Sequence, residues 1–310
     1  MGRKKICLIV CGPLPDFPLG KLDSWLRQVP ELNIIADVEP MLVFDRPSAD
    51  VSPAIWRTLS AEIHQRLNRY AGFVVVHGVD NLLYTAAAVS FLIQNLTRPV
   101  VFTGSGMLWS AGGDVEMRAN LINAIQLSTA AFTEVGLMFG NRLLRANQAT
   151  ALTHESVGSF YAPPQALLGR IDFSARIFET AIVKNRGAAR LATQLSENVE
   201  LLHWTPAHAN AVTLPQPAKR DGLIIDAGAY HVLPETLVRF AAEAAAKTPV
   251  VIWAPKITTP APTQNQLLIV TDMTWPTTLT KYLWALGQTK NVKQLKALMN
   301  RNFAGELNKT

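Results

Sequence analysis

Short apolar segments alternate with helical segments along the first half of the chain, and this alternation strongly limits the possible folds. The apolar segments are Ile6–Val10, Gly72–Val76, Pro99–Phe102 and Val135–Phe139. Their length and their β-branched and aromatic residues predict strands. Strands that are apolar on both faces are typical of parallel sheets covered by helices on both sides. The sequence therefore predicts an α/β fold.

Helices are predicted between these strands. Ser52 and Pro53 form a typical helix start, with Ser52 as the N-cap and Pro53 in the first turn. One face of this helix is apolar, because four residues recur at every fourth position: Ile55, Leu59, Ile63 and Leu67. Two further helices are predicted over residues 82–95 and 118–131.

In open parallel sheets, ligands bind beyond the carboxyl ends of the strands. The segments that follow the predicted strands are Cys11–Pro15, His77–Asn81 and Thr103–Gly106. We expect these three segments to converge on one site.

A second, smaller α/β domain is predicted in the last third of the chain. Its strands and helices alternate again, beginning with the apolar strands Val199–Leu202 and Gly222–Asp226. Periodicity is lost around residues 171–197, which are polar and basic. We therefore predict a larger domain over residues 1–175, a linker over 176–197 and a smaller domain over 198–310.

The composition limits the classes of partner. The chain has 310 residues, of which 49% are hydrophobic, and it carries a net charge of +6. The basic residues are mostly dispersed, so nucleic acid is not the expected partner. No apolar segment approaches the roughly 20 residues of a membrane span, and the short apolar segment at the start favours a buried strand over a signal peptide. We expect a cytoplasmic protein that does not bind membranes.

The cysteines and histidines predict neither a disulfide nor a metal site. Cys7 and Cys11 lie four residues apart near the first strand, so their Cα atoms are expected about 13 Å apart, too far for a disulfide. The six histidines show no metal-binding spacing. We expect no metal and no cofactor.

One motif resembles a known enzyme family. His77-Gly78-Val79-Asp80-Asn81 resembles the second signature of the L-asparaginase/glutaminase family, which reads His-Gly-Thr-Asp-Thr. The resemblance continues through most of the chain, for example in Arg98–Ser105, Phe139–Asn147 and Thr280–Gly287. It implies a larger amino-terminal parallel-sheet domain followed by a smaller α/β domain, and hydrolysis of the side-chain amide of asparagine or glutamine.

The resemblance also implies which residues occupy the family's functional positions. Leu14 stands in place of the usual threonine nucleophile, and Val79 in place of the threonine of the second signature. Ala151 stands in place of the lysine, and no lysine occurs between Lys21 and Lys184. The aspartate is retained as Asp80, and Ser48 corresponds to the serine that holds the substrate. Three positions have thus lost a hydroxyl or an ammonium group.

These substitutions favour a degenerate family member with little or no activity and a ligand-binding or regulatory role. The expected ligand is a small amino acid, held by residues at the strand ends: Ser48, Gly78, Asp80, Thr103, Gly104 and Ser105. One alternative is an active amidohydrolase with a relocated nucleophile, Cys11 or Thr103. Another is a subunit of an assembly similar to the tRNA-dependent amidotransferases.

A purely structural role is the alternative to ligand binding for Asp80, because this residue also suits the N-cap of the helix that begins near Leu82. For the whole chain, the family resemblance implies a dimer or tetramer. That oligomer would consist of this chain alone or of this chain mixed with an active relative.

Overall fold

The computed structural model describes residues 2–12, 26–27, 29–106, 113–152, 160–184, 187–210, 220–258 and 267–308. The chain forms two compact units. The larger unit comprises Met1–Thr193 and Phe303–Gly305, and the smaller one comprises Gln194–Asn302 and Glu306–Thr310. Leu14 lies outside the described residues.

The larger unit contains an eight-stranded sheet in the order β11-β10-β7-β6-β5-β3-β1-β2. The strands of this unit, in chain order, are β1 (Lys5–Cys11), β2 (Asp37–Phe44), β3 (Gly72–His77), β4 (Ile93–Gln94), β5 (Val100–Thr103), β6 (Val135–Phe139), β7 (Arg142–Arg145), β8 (Thr150–Ala151), β9 (Phe160–Tyr161), β10 (Leu167–Ile171), β11 (Ala175–Ile177) and β12 (Arg190–Leu191). Strands β2, β1, β3, β5 and β6 are parallel, as the sequence predicts. The α/β fold is therefore confirmed.

The remaining strands of this sheet are antiparallel, which the apolar pattern did not predict. Strand β7 folds back on β6 through a two-residue turn, and Phe139 is the register partner of Arg142. Gly140 has a φ of 61°, a conformation that glycine adopts easily in such turns. Strands β10 and β11 then extend the sheet as a hairpin. The sheet is thus mixed at this edge.

Helices cover both faces of the sheet. They are α1 (Glu31–Ile35), α2 (Pro53–Arg66), α3 (Leu82–Leu92) and α4 (Gly113–Ser128). Neighbouring residues of β3 point to opposite faces, since Phe73 and Val75 belong to one buried cluster and Val74 and Val76 to the other. This double burial explains why the strands are apolar throughout. None of the described helices is long and apolar enough to cross a bilayer.

A buried ion pair stabilises the mixed edge of the larger unit. The Nε and Nη2 groups of Arg145, at the end of β7, donate to the carboxylate of Glu134 at 2.6 and 3.1 Å. The two side chains are only 5% and 4% exposed. The backbone N–H of Val183 donates to the same carboxylate at 2.5 Å, and Arg145 donates to the carbonyl of Ala181. The pair therefore fixes a distant segment of chain against the sheet.

The smaller unit contains a four-stranded parallel sheet in the order β13-β14-β15-β16. Its elements are β13 (Val199–His203), β14 (Gly222–Asp226), α5 (Glu235–Ala245), β15 (Val250–Trp253), β16 (Leu267–Val270), α6 (Trp275–Gln288) and α7 (Val292–Asn300). A fully buried ion pair joins Lys281 of α6 to Glu306 at 2.6 Å. The same ammonium donates to the carbonyls of Met299 and Arg301, so three acceptors compensate its burial.

We predict that Arg145→Leu lowers the free energy of unfolding by about 3–5 kcal/mol, because it leaves the Glu134 carboxylate buried without a cation. Arg145→Leu combined with Glu134→Gln should be less destabilised, because glutamine carries no charge and still offers an oxygen to Val183. Urea-induced unfolding monitored by circular dichroism measures both. Equal destabilisation of the single and double variants would contradict this account.

Candidate functional site

The segments predicted to form the site do converge at the carboxyl edge of the larger sheet. Cys11 at the end of β1 is the register partner of His77 at the end of β3, and Val76 is the partner of Thr103 at the end of β5. The loop that follows β2 reaches the same edge and supplies Ser48. The described parts of the predicted segments therefore lie next to each other at this edge, and residues 13–15 lie outside the described part of the chain.

Ser48 and Asp80 are directly hydrogen-bonded, although 32 residues separate them. The buried hydroxyl of Ser48 donates to Oδ2 of Asp80 at 2.9 Å. The side chain of Asn81 donates to the carbonyl of Ser48 at 2.9 Å and to that of Ala49 at 3.2 Å. Asp80 itself is exposed. The pair thus presents a fixed carboxylate to solvent at the end of β3.

The capping role considered for Asp80 is wrong. The N-cap position of α3 is occupied by Asn81, and no side chain makes a capping hydrogen bond there. The carboxylate of Asp80 accepts its hydrogen bond from Ser48 instead. The interaction therefore connects two loops at the site and does not cap the amino end of α3.

Two glycines allow these loops to approach each other. A Cβ atom on Gly78 would lie 2.3 Å from Oγ of Ser48, and one on Gly104 would lie 2.3 Å from the carbonyl oxygen of His77. Real Cβ atoms do not make contacts this short. Gly78 and Gly104, both expected to contact a ligand, therefore have a demonstrable steric role in shaping the site.

The substituted positions carry no hydrolytic group. Val79 is partly buried and packs against the core on its face of the sheet. Ala151 is exposed in the short strand β8, paired with Phe160 of β9. Neither an alkyl side chain nor a methyl group can act as a nucleophile or move a proton.

The two alternative nucleophiles are both buried. Cys11 is 1% exposed, and this burial raises the pKa of its thiol to about 12. A thiol with such a pKa is not ionised near neutral pH, whereas the thiolate is the nucleophile. The hydroxyl of Thr103 is fully buried and donates to the carbonyl of Met138 at 2.8 Å.

Residues of α4 that belong to none of the predicted site segments hold the turn after β5. Asn120 donates to the carbonyl of Gly104 at 2.9 Å and accepts from the N–H of Gly140. Glu116 accepts from the hydroxyl of Ser105 at 2.7 Å and from the N–H of Gly106 at 3.0 Å. The sequence signal for these contacts was the spacing of Glu116 and Asn120. They are polar residues four positions apart, so they lie on the same face of the helix.

His77 is neutral and structural. It is fully buried, and this desolvation lowers its pKa to about 4. Its Nδ1 lies 2.6 Å from the carbonyl oxygen of Gly78 and so carries the proton. Within the described part of the chain, no group of three or more His, Cys, Asp and Glu residues is arranged to hold a metal ion.

Known proteins resemble this chain along most of its length. The sequence family described as "Asparaginase, N-terminal" matches residues 18–183, more than half of the chain. The chain belongs to the asparaginase family. An L-asparaginase of Thermococcus kodakarensis is 25% identical to it over 88% of this chain and 87% of that protein.

Two further similarities concern an amidotransferase and a solved structure. A glutamyl-tRNA(Gln) amidotransferase subunit of Methanosphaera stadtmanae is 26% identical over 94% of this chain and 72% of that protein. The structure of the thermostable L-asparaginase from Thermococcus kodakarensis matches with a TM-score of 0.82 at 21% identity, covering 99% of this chain and 100% of that one. The asparaginase-like fold is thereby confirmed.

We predict that Gly104→Ala lowers the free energy of unfolding by about 1–3 kcal/mol and more than Gly78→Ala does, as measured by urea unfolding. The new methyl at position 104 lies 2.3 Å from a backbone oxygen of β3, in the middle of the sheet. The one at position 78 lies 2.3 Å from Oγ and 2.8 Å from Cβ of Ser48, which is on a loop, and a loop shifts more easily than a central strand. Gly2→Ala is the control, since no atom lies within 4 Å of a Cβ there. A larger destabilisation by Gly78→Ala than by Gly104→Ala would contradict this ranking. It would show that the backbone around Gly104 moves aside more easily than Ser48 does.

Proposed function

We propose that this asparaginase-family protein binds a small amino acid at the Ser48–Asp80 pair and does not hydrolyse it at an appreciable rate. The observation that carries this proposal is the 2.9 Å hydrogen bond between Ser48 and Asp80, next to the apolar Val79 in the sequence. The polar pair is intact while the residue that precedes Asp80 offers no hydroxyl. The protein then acts as a ligand-binding or regulatory member of its family.

The ligand-binding half of the proposal rests on charge and preorganisation. An exposed carboxylate that a buried serine orients can accept hydrogen bonds from an ammonium group, and such charge-assisted bonds are strong. Asn81 donates a hydrogen bond to the carbonyl of Ser48, and the absence of a side chain at Gly78 leaves room for the Ser48 hydroxyl. Little conformational entropy is lost when a ligand meets groups that are already fixed.

The loss of hydrolysis rests on the chemistry of the substituted positions. Catalytic residues of this kind act as a unit, so losing one of them removes most of the rate enhancement. Here the unit would lack the hydroxyls at positions 14 and 79 and the amine at position 151. The burial of Cys11 and Thr103 disfavours a relocated nucleophile.

An assembly role is the second candidate. The similarity to an amidotransferase subunit over 94% of this chain supports it, and the net charge of +6 is compatible with tRNA. By the same relationships we propose a dimer or tetramer, formed with itself or with an active relative. Binding of tRNA that weakens steeply with salt would favour the assembly role over amino-acid binding.

We predict that ammonia release from L-asparagine and L-glutamine does not exceed the background without protein. Relative to an active asparaginase assayed in parallel, the rate should be lower by about 10⁴-fold or more. Cys11→Ser is the accompanying variant. Turnover that disappears in this variant would instead assign the nucleophile to Cys11, and turnover retained in it would show that another group carries out hydrolysis.

We also predict saturable binding of L-aspartate, L-asparagine or L-glutamine, measured by isothermal titration calorimetry. Asp80→Asn should weaken this binding by about tenfold or more, because it removes the charge that faces the ligand ammonium. Asp37→Asn, an exposed aspartate at the start of β2, is the matched control and should bind normally. Failure of the unsubstituted protein to bind any of the three would contradict the ligand-binding role.

A further inference from the structure

A cleft of about 450 Å³ lies at the amino ends of β1, β3 and β5. This is the edge of the larger sheet opposite the candidate site, so a role for the cleft does not depend on the proposed function. Small-molecule sites usually enclose about 300–1,000 Å³, and the cleft falls within that range. It is large enough for a ligand of nucleotide size.

Four cationic side chains line this cleft: Lys4, Lys5, Arg69 and Arg98. The carboxylate of Glu39 pairs with two of them, Lys5 and Arg69. Four positive side chains against one carboxylate leave a net charge of +3. Asp37 is the register partner of Lys5 on β2, but it does not line the cleft.

Two of the cations are held in place by the buried Tyr70 and the half-buried Glu39. The phenol of Tyr70, 5% exposed, donates to Glu39, whose carboxylate also accepts from Arg69 at 2.7 Å. The charged groups of Lys5 and Arg69 both lie over the Tyr70 ring, at 5.8 and 5.2 Å from its centroid. These contacts fix the positions of Lys5 and Arg69 and reduce the entropy lost on binding an anion.

The other two cations use only part of their hydrogen-bonding capacity. Lys4 donates to the carbonyl of Thr129 at 2.7 Å, and Nε of Arg98 donates to the carbonyl of Leu67 at 3.3 Å. An ammonium group has three N–H donors and a guanidinium group has five. Among the contacts of the described residues, each of these side chains therefore keeps donors for a ligand.

We propose that this cleft binds an anion that carries phosphate groups. The guanidinium of an arginine can donate two parallel hydrogen bonds to a phosphate, which a point-like ammonium does not do, and two of the four cations in the cleft are arginines. A phosphate monoester or diphosphate carries about two or more negative charges near neutral pH and so offsets most of the +3 charge. A monocarboxylate would neutralise only one of these charges.

The test uses the full chain with inorganic phosphate, pyrophosphate and ATP, titrated by calorimetry in low-salt chloride buffer. The expected result is saturable binding of pyrophosphate and ATP. Lys4→Gln combined with Arg98→Gln should weaken it by about tenfold or more. Glutamine keeps an N–H for the carbonyls of Thr129 and Leu67, and both positions are exposed, so the variant should fold normally.

The control is Arg239→Gln combined with Lys247→Gln, which removes two exposed charges in the smaller unit. It should bind both ligands as the unsubstituted protein does. Equal weakening in the control, or no saturable binding of any of the three probes, would overturn the proposal. Binding of ATP without pyrophosphate would assign the affinity to the nucleoside and would also overturn the proposal.

Discussion

The candidate site exists because segments of the chain come very close together at the carboxyl edge of the larger sheet. No side chain of Gly78 or Gly104 keeps them apart. The missing Cβ atoms of Gly78 and Gly104 allow Ser48 and the carbonyl of His77 to occupy the space that any other residue would fill. Only then can the loop after β2 reach the end of β3 and bring Ser48 to Asp80. The polar pair is therefore a consequence of backbone packing, and it forms without a hydroxyl at position 79.

This independence explains how hydrolytic groups can be absent from an intact scaffold. Valine and threonine have nearly the same shape, and Val79 packs against a core that tolerates the apolar group. Ala151 is exposed in strand β8, and substitutions at exposed positions usually change stability little. Substitutions of this kind remove strained or charged catalytic groups at little loss of stability. Retention of the fold consequently says little about retention of the reaction.

The sequence predicts the central strands well and the edges poorly. Strands β3, β5 and β6 lie within about one residue of their predicted bounds. A short, continuous apolar segment between turn residues is typical of a buried strand. Strand β7 was missed although Gly140-Asn141 is a strong hairpin signal. Strands β10 and β11 are short and only partly buried, so tertiary contacts rather than local pattern determine them.

Within the site, the carboxyl edge was inferred from the parallel arrangement of the strands, and the choice of Ser48 and Asp80 from the family resemblance. Their hydrogen bond joins residues 32 positions apart, which no local pattern encodes. The contacts of Glu116 and Asn120 were equally hidden, because polar residues on a helix usually face solvent.

The two edges of the sheet also differ electrostatically for a simple reason. Helices that connect parallel strands end at the amino edge, where their last carbonyls concentrate negative potential. Lys4 and Arg98 each donate to one such carbonyl, beyond the ends of α4 and α2, so part of the positive charge there stabilises the helices. That role requires one donor from each side chain. A guanidinium has four more. Among the described hydrogen bonds, the side chains of Lys5 and Arg69 donate to no helix carbonyl and are oriented instead by Glu39 and Tyr70. The interactions with the ends of the helices therefore use only part of the positive charge in the cleft.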